Sequence, residues 1–232
     1  MCTLTYVPLA NKNFLWTHNR DESPARAAHT LIKTTELVHP EDPPSGGTWI
    51  GMTTNTRIVS LLNGAFDHLP HEPSKGKSRG IVVLDALKAI NMVTFFEEYD
   101  LTGIQPFTLV VLDSGRLWEF RWDKKERFLK ELDHDQAHIW SSATLYPLEW
   151  QQKRKEWFQE WLFSHARRTY RSILKFHLKT GDNNPAYDLV MDRGVVKTVS
   201  VTSIASNNVT LNFRYYNLLE DTREHFQLNR IV

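Results

Sequence analysis

The chain has 232 residues, 41% hydrophobic and 12% aromatic, which is ample apolar material for a core. Lys and Arg number 28 against 27 Asp and Glu, so the chain as a whole lacks the basic footprint that nucleic acid or an anionic membrane surface requires. One cysteine excludes an internal disulfide and a cysteine zinc site, and no window approaches the roughly 18 apolar residues of a membrane span.

Residues 3–8 and 13–18 are β-favouring runs joined by "LANKN", which reads as a hairpin connection. "HPEDPPSGG" at 39–47, rich in proline and glycine, is expected as loop. "TWIGMTT" and "RIVSLL" predict a second hairpin around "NT", and "FDHLPHEPSKGKS" a further loop. "RGIVVLDALKAINMVTFFEEY" carries apolar residues at helical spacing and predicts two short helices. "FTLVVLD" and "RLWEFRW" read as strands around "SG", followed by "RFLKEL" and the brief "HIWSS". From Pro147 to about Thr180 the pattern is helical, with Trp150, Trp157, Trp161 and Leu162 on one stripe that is expected to pack on a sheet. "NPAYDLVMDRG" predicts a short helix, and "VKTVSVTSIAS" with "VTLNFRYY" a closing hairpin around "NN". Hairpins dominate and the helices cluster in sequence. The expected class is therefore α+β with mainly antiparallel sheets, in one domain spanning 1–232.

The chemistry starts at Cys2. Initiator methionine is removed when the second residue is small, and removal of Met1 would leave a thiol beside its own α-amine. The two groups have unperturbed pKa values of about 8.5 and about 7.7–8.0. The amine can then take the thiol proton, giving a nucleophile and its base within one residue. Position alone favours the plainer alternative, a small buried residue in a first strand. "THNRDES" at 17–23 follows an apolar strand, so Asn19, Arg20 and Asp21 are expected at a strand end or turn. The hairpin would bring residues 19–21 back toward the chain start. There Asp21 can anchor the α-amine, and Arg20 can hold a carboxylate or carbonyl oxygen. In "GGTWIG…LLNG" the glycines allow close backbone approach, and Asn63 beside Gly64 is read either as a plain Asn-Gly turn or as an amide offered to a developing oxyanion. His68 and His71, in a proline-containing loop, and "DHDQAH" at 133–138 read as solvated surface before they read as metal ligands.

"MC", "NRDE", "GGTWIG" and "LLNG" in that order resemble the NRDE family, typified by the transport-and-Golgi-organisation protein. "IWSSATLYPLEWQQKR" at 139–154 and "VKTVSVTSI" at 196–204 resemble its later blocks. The family is similar to the N-terminal-nucleophile hydrolases of the penicillin V acylase and bile-salt hydrolase group. That similarity implies a four-layer αββα sandwich and amide hydrolysis through a thioester on an N-terminal cysteine. It implies Cys2 as nucleophile, Asp21 as orienter of the amine and Asn63 as oxyanion donor. The acylases place an arginine three residues before the aspartate, where this chain has His18. Arg20 lies two residues on and shares the same strand face. Ser142 stands where the relatives tend to have asparagine. Lys197 stands for an arginine, keeping the charge and losing the bidentate fork. No cofactor is implied, and the expected partner is a small-molecule substrate in the cytoplasm, no targeting segment being read at the start of the chain. The family also brings an alternative: a non-catalytic carrier of a haem or lipid-like ligand linked to secretory-pathway organisation. The sequence has no haem-attachment motif to support it.

Overall fold

The computed structural model describes residues 2–66 and 76–230; the histidine pair at 68 and 71 lies outside them. The chain forms two compact units, each a sheet with a helical layer. The first comprises residues 1–27, 135–141 and 146–232, the second residues 28–134 and 142–145. No helix among the described residues is long and apolar enough to cross a membrane.

In the first unit, β1 (Cys2–Leu9) and β2 (Asn13–Glu22) form the expected hairpin, with Asn11 and Lys12 at positive φ in the turn. The sheet continues with β10 (His138–Ser141), β11 (Lys197–Ser206), β12 (Thr210–Asn217) and β13 (Thr222–Asn229). Its antiparallel order is β10-β1-β2-β11-β12-β13. The closing hairpin thus carries a third strand, β13, whose exposed positions alternate as one solvent-facing side of an edge strand should.

The stretch from Pro147 to Thr180 divides into α3 (Leu148–Ser164) and α4 (Tyr170–Lys179). The break comes where Thr169 and Ser172 form a reciprocal capping box that starts a new helix. Trp157, Phe158 and Trp161 from α3 and Ile173 and Phe176 from α4 pack on Val7 and Leu15, so Trp157 and Trp161 of the expected stripe face the core, with Leu162 partly buried beside them. Trp150 is half-buried and packs on Tyr187 instead. The helix expected at 184–194 is absent. Its carbonyls are taken by other elements: those of Tyr187 and Asp188 accept from Arg154 Nη2, and that of Leu189 accepts from Asn19 Nδ2. Tertiary hydrogen bonds here outcompete a weak local propensity.

In the second unit, β3 (Leu31–Lys33), β4 (Leu37–Pro40), β5 (Ile50–Thr53), β6 (Ile58–Asn63), β7 (Phe107–Asp113), β8 (Arg116–Trp122) and β9 (Arg127–Leu132) follow one another as an antiparallel meander. The expected loop at 39–47 begins inside β4, because His39 and Pro40 pair with Ile32 and Leu31. Between β7 and β8, Ser114 and Gly115 both take positive φ in a two-residue hairpin. Helices α1 (Arg79–Lys88) and α2 (Met92–Glu98) are capped by Ser78 and Asn91 and bury Val82, Val83, Phe95 and Phe96 against β6–β8. The "GG" of the sequence has a packing cause at Gly47, where a Cβ would sit 2.5 Å from the backbone carbon of Gly80.

Candidate active site

Pairing fixes which side chains meet. Cys2 lies opposite Arg20 and Leu4 opposite His18, while on the other flank of β2 Ser200 faces Arg20 and Thr202 faces His18. Strand alternation puts Cys2, His18, Arg20, Ser200 and Thr202 on one face, and Asn19, Asp21 and Thr198 on the other, beneath α3 and α4. Asn19, Arg20 and Asp21 lie at the strand end, the first of the two places expected: β1 pairs β2 as far as Arg20, and β11 holds it extended to Glu22. The hairpin does bring 19–21 beside the chain start, as expected.

Each residue of "NRDE" then has a distinct task. Asn19 donates to the carbonyls of His177 and Leu189 and accepts at Oδ1 from His177 Nδ1 at 2.6 Å. His177 Nε2 lies 2.8 Å from Thr5 Oγ1. This bonding assigns a neutral ring with its proton on Nδ1 and Nε2 accepting from the hydroxyl. Burial, helped by the charge of Arg154, pushes the His177 pKa down to about 3. Arg20 Nη1 donates to the Arg26 carbonyl at 2.7 Å and ties down the turn that follows the strand. Glu22 accepts the Ser23 amide at 2.9 Å.

Asp21 is fully buried and is the centre of a polar cluster. Tyr146 Oη donates to its Oδ2 at 2.5 Å and Thr198 Oγ1 to its Oδ1 at 2.6 Å. The guanidinium of Arg154, from α3, stacks 3.4 Å over the Tyr146 ring. Burial pushes the Asp21 carboxyl up, while Arg154 and the two hydroxyls pull it back; the balance is a raised pKa. Burial also raises the Cys2 thiol, which is 1% exposed. His18 is buried too, and burial holds it neutral, well below its ordinary pKa.

The remaining expected residues divide. Asn63 ends β6 and Ser142 is buried, with Ser142 Oγ donating 2.7 Å to the Asn63 carbonyl, so the structure brings these two together in the second unit. Gly64 follows at φ 85°, and a Cβ there would meet Thr144 backbone at 3.0 Å. Lys197 opens β11, but its ammonium pairs with Asp192 at 2.8 Å and its side chain is 36% exposed. It is not part of the buried Asp21 cluster. Sequence reasoning missed Tyr146, Arg154 and Thr198. The available signal was Arg154 itself, which falls between Trp150 and Trp157 on the apolar stripe of α3, where a charge needs a buried partner.

A family model described as Transport and Golgi organisation 2 matches residues 1–208. The chain belongs to that family. No curated protein sequence matches it. Among solved structures it is similar to a Caenorhabditis elegans N-acylethanolamine-hydrolyzing acid amidase ortholog. The TM-score is 0.60 at 13% identity, over 88% of this chain and 92% of that one. It is also similar to two variants of the conjugated bile acid hydrolase from Clostridium perfringens, both at 9% identity. One has a TM-score of 0.51 over 100% and 97% of the two chains, the other 0.54 over 97% and 92%. These likenesses give this family member the N-terminal-nucleophile hydrolase fold, in the α+β class expected from the sequence.

Proposed function

We propose that the protein is an N-terminal cysteine amidohydrolase that acts, once Met1 is removed, on the C–N bond of a small amide. The observation that carries this reading is the placement of Cys2. The chain's single thiol opens β1, directly paired to the strand that holds Asp21. The solved structures of like fold support the substrate class, since their names denote hydrolysis of N-acylethanolamines and conjugated bile acids.

In this mechanism the Cys2 α-amine takes the thiol proton and the sulfur attacks the amide carbonyl carbon. The family pattern assigns Asn63 to donate to the oxyanion, and Arg20, on the face of Cys2, to hold a polar group of the substrate. Ser142 fixes the carbonyl of Asn63. Lys197 is the charge at the entrance of β11. Collapse of the tetrahedral intermediate breaks the C–N bond, the α-ammonium protonates the departing amine, and the acyl group remains on Sγ as a thioester. Water then attacks the thioester, giving its proton to the α-amine. The acid leaves and the thiol is restored. Asp21 keeps the amine oriented through both half-reactions. A nucleophilic thiol stays reduced in the cytoplasm, where we place the protein.

The test is intact-mass analysis of processed protein incubated with a panel of short- and long-chain N-acyl amides. An acyl adduct on Cys2 that hydroxylamine removes, absent from Cys2→Ala, is expected. Amide turnover that survives Cys2→Ala, or processed protein that acquires no acyl group across the panel, contradicts the proposal.

A further inference from the structure

Arg154 is a charge without an obvious purpose. It lies fully buried in the tryptophan stripe of α3, and its Nη2 donates only to the backbone carbonyls of Tyr187 and Asp188. Its Nε and Nη1 make no hydrogen bond among the described residues. A buried guanidinium left without an anion is costly, so its place in the core calls for a counter-charge close by. The carboxylate that fits is Asp21, reached across a single ring. Arg154 stacks 3.4 Å over Tyr146, and the phenol of Tyr146 donates to Asp21 at 2.5 Å. The stack leaves the hydroxyl at the ring edge free to point at the carboxylate, and Thr198 closes on the other oxygen. Both oxygens of Asp21 therefore accept hydrogen bonds, an arrangement that favours the charged carboxylate.

We propose that Arg154 and Tyr146 are positioning residues for Asp21. Arg154 supplies the positive charge, and Tyr146 the hydrogen bond, that keep the Asp21 carboxylate ionised and fixed in direction. The inference rests on the reading of Asp21 as the group that orients the Cys2 α-amine. An anchor that turned or became protonated could not hold that amine beside the thiol. The groups that act on Asp21 electrostatically include the chain's α-amino group, Cys2 from β1, Tyr146 from the segment before α3, Arg154 from α3 and Arg193 from the segment before β11, with Thr198 donating from β11.

The experiment is a ¹³C NMR titration of aspartate carboxyl carbons in the full chain, with the Asp21 signal assigned by its loss in Asp21→Asn. Arg154→Met is expected to raise the Asp21 midpoint by about one unit or more, because an opposite charge has been removed. Arg154→Lys, which restores the charge, should return at least half of that shift. Tyr146→Phe preserves the stack and removes one hydrogen bond, so it keeps the test open should Arg154→Met fail to fold. It too should raise the midpoint. An Asp21 midpoint unmoved in a folded Tyr146→Phe or Arg154→Met protein overturns the inference, whatever Cys2 does. A Cys2 that proves inert while the midpoint moves as expected sinks the catalytic reading alone and leaves the pairing standing.

Discussion

The histidine at the end of α4 gives the most quantitative prediction. His177 is fully buried, bonded through Nδ1 to Asn19 and through Nε2 to Thr5, and its pKa is pushed down to about 3 from an ordinary 6.5. Because the folded value is depressed, the stability this ring contributes is present above the unfolded value and is lost as pH falls toward the folded one. The gap of about 3.5 units, at about 1.36 kcal/mol each, amounts to about 5 kcal/mol at full titration, and linkage puts the loss by pH 5 at about 2 kcal/mol. Protonation would force the ring to drop its acceptor at Nε2, and the resulting cation would lie beside the charge of Arg154. The assay is urea unfolding at pH 7.5 and pH 5 for the wild type and His177→Gln. The wild type should lose about 2 kcal/mol more than the variant between those conditions. His18 titrates with the same sign, so some pH dependence remains in both proteins and the difference isolates His177. Equal losses in the two would refute the reasoning.

Three further outcomes are expected. Gly47→Ala places a Cβ 2.5 Å from Gly80 backbone, so thermal melts should show a loss of about 1–3 kcal/mol; an unchanged Tm would mean that the Gly47–Gly80 approach relaxes freely. Ser142→Ala removes the donor to the Asn63 carbonyl in a buried setting and should cost about 1–3 kcal/mol in chemical denaturation, whereas a neutral result would show that carbonyl satisfied elsewhere. Lys197→Ala breaks a solvent-exposed pair and should shift stability by less than about 1 kcal/mol; a larger loss would place Lys197 in a tighter network than its contact with Asp192.

Much of the fold was legible because hairpins and helices declare themselves locally. "LANKN" and "SG" turn as their residue types require, and the α1–α2 run carried its period in the sequence. What was not legible depends on partners distant in sequence. For Asn19, Arg20 and Asp21 the sequence left strand end and turn both open, and it is pairing with the distant β11 that keeps them in the strand. The segment 184–194 has a helix-like composition, but α3 and β2 take its carbonyls. β13, with its polar face, has too little apolar alternation to be seen. At the site, Cys2, Arg20 and Asp21 could be read because one hairpin brings them together. Tyr146 and Thr198 could not, since hydroxyl groups acquire meaning only beside a buried carboxylate.

The central claim is that Cys2 becomes a free N-terminal nucleophile. The most direct measurement is the intact mass of protein from its native source, followed by a limiting dose of iodoacetamide near neutral pH. The account predicts loss of the Met1 mass and rapid alkylation at Cys2 in the folded protein. Retained Met1, or a thiol that alkylates only after unfolding, would contradict it.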